Sequence, residues 1–153
     1  MPKAMEIAVI MFAATSSIVC AEVFTWLTAQ GIDPKLFLQL LQTTGSRQSA
    51  GRVEEFLKRG KSYGGALSNS YKDIRQALET AAALELPLPL MNTVNQLQEM
   101  ARAQGLTRLS TPAAIGKLYE ILTATDLSEA VLESERVFPE PEEPQVIYLG
   151  KTQ

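Results

Sequence analysis

The sequence predicts an all-α domain built around one long central helix, and three observations carry that prediction. Residues Ala4 to Gln30 contain neither proline nor glycine and are apolar on every side. The later stretches repeat apolar residues three and four apart, the period of a helix with one buried face. The single strongly β-prone run, Val146-Ile147-Tyr148-Leu149, has no second strand to pair with.

As a helix the first stretch runs about 40 Å at about 1.5 Å per residue. That is about the full diameter of a compact domain of this length. A helix apolar all round must be buried on all sides, in a core or in lipid. The later helices are therefore expected to wrap it, with help from a second chain. Glu6 and Glu22 close the uncharged run Ile7 to Ala21 short of the roughly 20 residues of a spanning helix. A secretory signal would use Lys3 and the run Val9 to Ala21, but Val23, Phe24, Trp26 and Leu27 simply continue the helical pattern. A core helix is the expectation, and a membrane is not an expected partner.

Gly31 stops this helix, and Asp33-Pro34 starts the next as N-cap and first-turn proline. Leu36, Phe37, Leu40 and Leu41 are expected inward, with Ser46 to Ser49 a polar loop. Gly51 to Leu57 reads as a short helix with Val53, Phe56 and Leu57 inward. Gly60 to Asn69 reads as a loop, and Tyr71 to Glu85 as a strong helix with Ile74, Ala77, Leu78, Ala81 and Leu84 inward. Leu86-Pro87-Leu88-Pro89 breaks it. Leu90 to Ala103 follows, burying Leu90, Val94, Leu97, Met100 and Ala101, with Gly105 as stop. Ser110-Thr111-Pro112 opens a helix with Ile115, Leu118, Tyr119 and Leu122 inward. Leu127 to Val137 reads as one more short helix. Six or seven helices are expected in all. Residues 1–125 form the helical domain, and 126–153 a short helix, a Pro/Glu-rich linker (Phe138 to Pro144) and an extended acidic tail.

At 153 residues, 46% hydrophobic and 20% charged, the chain is sized and composed for one globular domain. It has no histidine, which removes the commonest general base and metal ligand and any Ser-His or Cys-His nucleophile. Its one cysteine, Cys20, reads as a small buried hydrophobe, so neither a disulfide framework nor a thiolate metal site is expected. A reducing, cytoplasmic setting fits. The net charge of −3 is concentrated at the C-terminal end, where Asp126, Glu129, Glu133, Glu135, Glu140, Glu142 and Glu143 face only Arg136 and Lys151. No block is basic enough to make nucleic acid a partner.

There is no glycine-rich phosphate loop; Gly64-Gly65 alone is a flexible turn. Glu54 and Glu55 read as solvated surface. The more suggestive pair is Lys72-Asp73, at the expected start of the strong helix. There the aspartate suits the helix dipole and the lysine does not.

The order of these features carries a resemblance. An apolar helix with Ala21-Glu22 is followed by Gly31-Ile32-Asp33-Pro34-Lys35 and a Ser46 loop. Then come a glycine loop ahead of Lys72-Asp73 and Ala77-Leu78, Leu86-Pro87-Leu88-Pro89-Leu90, and Gly105. Over residues 5 to 124 the sequence resembles the C-terminal helical domain of the β-hydroxyacid dehydrogenases, the family of 3-hydroxyisobutyrate dehydrogenase, a fold akin to the C-terminal domain of 6-phosphogluconate dehydrogenase. The resemblance implies a domain that supplies dimer contact and closes over a small hydroxy acid. A Rossmann domain would hold NAD or NADP. It also implies that Lys72 and Asp73 lie on the substrate side, with Ser46 near them.

The sequence departs from that family in two ways. The Rossmann half is absent from it. Counting back from Ala21-Glu22, the catalytic lysine of the family falls at Glu6 and its asparagine at Ile10. A glutamate cannot supply the cation that donates to an alkoxide, although an acid there is similar to the imine reductases. Lys3 falls about one turn early. The expectation is a stand-alone dimerisation and substrate-side domain, a binding or assembly module without dehydrogenase activity by itself. No cofactor is expected alone, and the homodimer is expected through the long N-terminal helix. Phe138 to Leu149 is expected to cover the face a Rossmann domain would have covered, or the partner subunit. The alternative is one part of an NAD(P)-dependent oxidoreductase acting with a separate nucleotide-binding domain, with Lys72, Asp73, Ser46 and Glu6 lining the substrate side. A third reading is a small-molecule binder using an apolar pocket between the first helix and the Tyr71 helix.

Overall fold

The computed structural model describes residues 2–58 and 65–127, and these form an all-helical domain. Six helices follow one another among the described residues: α1 (Lys3–Ala29), α2 (Pro34–Thr43), α3 (Arg47–Leu57), α4 (Leu67–Ala83), α5 (Pro89–Ala103) and α6 (Thr111–Thr123). The short helix expected over Leu127 to Val137, the proline-acid linker and the acidic tail lie, beyond Leu127, outside the described residues.

Every other helix packs against α1, which makes it the centre of the domain. By length and composition α1 is also long and apolar enough to cross a membrane. It ends at Gly31, whose φ of +73° places it in the left-handed region open to glycine. There the Ile32 N–H donates back to the Leu27 carbonyl at 3.0 Å and the Gly31 N–H to Thr28 at 2.9 Å, closing the carbonyls a helix end leaves open. At the start of α2 the Asp33 carboxylate accepts from the Lys35 N–H at 2.9 Å, ahead of Pro34. Ser110 likewise caps α6, its Oγ accepting from the Ala113 N–H at 3.3 Å.

The core gathers on the inner side of α1. Phe24 is buried with its ring edge-on to Phe56 at 5.3 Å and to Phe37 at 6.5 Å, joining α1, α2 and α3. Leu67 and Ile74 of α4, Val94 of α5, and Ile115 and Leu118 of α6 fill the other half. A short backbone seam fixes α4 against α6. The Leu67 N–H donates to Leu109 at 2.8 Å and the Ser68 N–H to Thr107 at 3.2 Å, beside an Ala66–Ser110 bridge.

Several expectations are corrected. α1 is not buried on all sides: Met5, Val9, Phe12, Val19 and Trp26 stay exposed along one stripe, Trp26 at 63%. α2 turns Leu38 inward, with Phe37 and Leu41 half-buried, and leaves Leu36 and Leu40 exposed. α3 begins at Arg47, so it takes in most of the expected Ser46–Ser49 loop. α4 starts at Leu67, four residues before Tyr71, because the seam to Leu109 and Thr107 holds its first turn. Leu84 and Leu122 are exposed. α5 buries Met91, Val94, Gln98 and Ala101 rather than Leu90 and Met100. Gln98 is accommodated because its Nε2 donates to the Ser70 hydroxyl at 2.8 Å, so a polar residue occupies the inward stripe.

Candidate functional site

Two elements place the expected residues. α1 presents Lys3 and Glu6 in its first turn, three residues apart and therefore on one face. α4 carries Lys72 and Asp73 in its second turn. The longer α4 removes the dipole argument against Lys72, since the helix field is concentrated in the first turn. Asp73 points into the domain and is 5% exposed, while Lys72 is exposed and makes no ion pair among the described residues.

The Lys3 ammonium joins the two helices. Its Nζ lies 3.2 Å from Glu6 Oε2 and 3.4 Å from Asp73 Oδ1. The hydrogen bond that Lys3 donates to Glu6, with Asp73 adding to it, raises the Lys3 pKa above its usual value, so the ammonium form is held. The structure thus brings together Glu6, Asp73 and the lysine that falls one turn before Glu6. Lys3 lies one turn before the position that the resemblance gives to the catalytic lysine. Its spacing of three from Glu6 is the signal in the sequence, because a helical side chain leans back toward the residue one turn before it.

Ser46 lies elsewhere. It precedes α3 as N-cap residue without a side-chain cap, is exposed, and makes no hydrogen bond to Glu6, Lys72 or Asp73. Ile10 is half-buried and apolar, with no hydrogen bond to offer at the place where the resemblance puts an asparagine.

The cluster therefore holds one cation between two carboxylates, with the free Lys72 ammonium on the residue next to Asp73. Such a site meets an anion through Lys72, or through Lys3 once Glu6 turns away. A pyrophosphate is cradled at a glycine-rich strand-to-helix turn, and the described residues contain neither a strand nor that turn.

Comparison with known proteins agrees with this architecture. The chain is 31% identical over 101 residues to 2-(hydroxymethyl)glutarate dehydrogenase of Eubacterium barkeri, a match covering 64% of this chain and 33% of that protein. The crystal structure of 3-hydroxyisobutyrate dehydrogenase from Salmonella typhimurium superposes with a TM-score of 0.60 at 20% identity, over 75% of this chain and 41% of that one. The fold is therefore shared, and the matches span about a third to two fifths of the length of these relatives. Residues 3–118 also match the family described as NAD-binding of NADP-dependent 3-hydroxyisobutyrate dehydrogenase, and with three quarters of its length inside that match the chain belongs to that family.

Proposed function

We propose that this chain is a substrate-side and assembly domain of the hydroxyacid dehydrogenase type, a module that pairs with a second copy along α1 and does not transfer hydride by itself. The observation that carries this reading is the exposed stripe of α1. Met5, Phe12, Val19 and Trp26 recur every seven residues, with Val9, Ser16 and Val23 between them, the spacing of a helix seam. The pattern is also symmetric. Two copies laid antiparallel about the point between Thr15 and Ser16 would set Met5 against Trp26 and Phe12 against Val19, with small residues where the axes cross. That is the self-complementarity a two-fold interface requires.

Analytical ultracentrifugation of the purified chain tests it. A dimer is expected at micromolar concentration, and Phe12→Glu, which places a charge in the seam, is expected to give a folded monomer. A native chain that sediments as a monomer at all concentrations refutes the pairing.

The Lys3–Glu6–Asp73 cluster favours a second reading, in which the chain serves an NAD(P)-dependent oxidoreductase together with a separate nucleotide-binding domain. Its substrate would then meet Lys72 and Lys3. Supplied with that domain, the chain should support oxidation of NADH or NADPH, and Lys72→Ala should abolish it.

A further inference from the structure

One turn beyond the charged cluster, α1 forms the wall of a cleft of about 410 Å³ that also uses α3 and the starts of α4 and α6. That volume lies within the roughly 300–1,000 Å³ of small-molecule sites. Its walls are mainly apolar, with Val9 and Ile10 from α1, Phe56 from α3 and Pro112 from α6.

The charged groups on it are Arg52 and Glu55 of α3, and the polar ones come from α1, α4 and α6. The Arg52 guanidinium of α3 lies 5.0 Å over the Phe12 ring, which fixes it at the cleft by a cation–π contact. It makes no ion pair among the described residues. Thr111 is 8% exposed, lines the cleft and has no hydrogen bond from its hydroxyl among the described residues. The Asn69 side-chain amide, also on the cleft, is likewise unengaged. By contrast the Ser17 hydroxyl is spent on the Ala13 carbonyl, and Ser70 accepts from Gln98. Thr111 is largely buried and Asn69 is exposed, and their polar atoms, not spent within the described residues, are open to a ligand's own oxygens.

We propose that this cleft binds an amphipathic carboxylate, its anion on Arg52, a further oxygen at Thr111 or Asn69, and its hydrocarbon body against Val9, Ile10 and Phe56. A planar guanidinium matches a carboxylate with two parallel hydrogen bonds. Arg52 faces the cleft together with the Glu55 carboxylate, so the lining suits a single negative charge on the ligand rather than two. A four-carbon hydroxy acid would leave most of the cleft empty, so the body is aromatic or branched. The cleft borders the exposed stripe of α1, sharing Val9 and Ser16 with it, and it needs no nucleotide-binding partner.

The test is titration of the full chain, labelled with nitrogen-15, with 4-phenylbutyrate and with the uncharged 4-phenylbutanol. Saturable shifts centred on Arg52, Asn69 and Thr111 are expected for the acid, with the alcohol much weaker. Arg52→Gln should weaken the acid roughly ten- to hundredfold, the scale of a charge-assisted hydrogen bond. Thr111→Val keeps the shape and loses the hydroxyl, so it provides a second readout if Arg52→Gln does not fold; it should weaken binding several-fold. No shift at millimolar acid, equal binding of acid and alcohol, shifts centred elsewhere, or unchanged affinity in a folded variant would each overturn the proposal.

Discussion

The Tyr119 hydroxyl donates to Glu22 Oε1 at 2.7 Å, joining α6 to the C-terminal third of α1 across 97 residues of sequence. Partial burial of the phenol, reinforced by the Glu22 carboxylate, pushes its pKa well above the ordinary value. Tyr119→Phe keeps the ring and removes the donor. It should lower unfolding free energy by about 1 kcal/mol in urea titration, the usual net worth of such a bond.

Cys20 should be chemically quiet in the folded chain. Burial pushes its thiol up to about 11 from about 9, only partly offset by Arg52, and Sγ rests 4.0 Å from the Arg52 carbonyl. A thiol reagent at pH 8 should therefore react far faster in denaturant than in native buffer. The sign of the linkage follows. Below pH 9 both states hold the proton and nothing is lost. Between about 9 and 11 only the unfolded state releases it, so stability falls as pH rises. Tyr119 acts in the same direction. Cys20→Ala should flatten the lower part of that alkaline decline in a series of melts.

Glu85 carries a strain that glycine would relieve. α4 closes as α1 does, the Leu86 N–H returning to Ala81 at 2.8 Å and the Glu85 N–H to Ala82 at 3.1 Å, yet the residue in the left-handed position is a glutamate at φ +55°. A side chain there costs about 1–2 kcal/mol, and the greater freedom of glycine in the unfolded chain returns part of that. Glu85→Gly should raise stability by about 0.5–1 kcal/mol, measurable as a higher urea midpoint at unchanged slope.

The elements were legible in the sequence because their punctuation is local. Asp33-Pro34, Ser110-Thr111-Pro112, Gly31 and Gly105 act through bonds within one turn, and the structure uses each of them. The faces were less legible, because which side is inward depends on partners. Leu90 has the side chain of a core residue, yet it sits at 57% exposure while Gln98 is fully buried, since only Gln98 has Ser70 opposite it. The start of α4 was missed for the same reason: its first turn is held by Thr107 and Leu109, about 40 residues away, and no local pattern announces them. At the site, Glu6 and Asp73 were named from order and resemblance, whereas Lys3 between them emerged only once α1 and α4 were side by side. Arg52 had no motif at all. Its meaning comes from Phe12, on a different helix.

The seam between α4 and α6 is made from main-chain atoms, with Leu67 and Ser68 bonding to Leu109 and Thr107. Such bonds are indifferent to side-chain identity. Asn69 and Thr111, each within two residues of that seam, are therefore free to be exchanged while the framework beneath them stays fixed. For the ligand site proposed above, scaffold and recognition surface would thus be separately adjustable, with substitutions at these two positions changing the cleft while the main-chain seam stays in place.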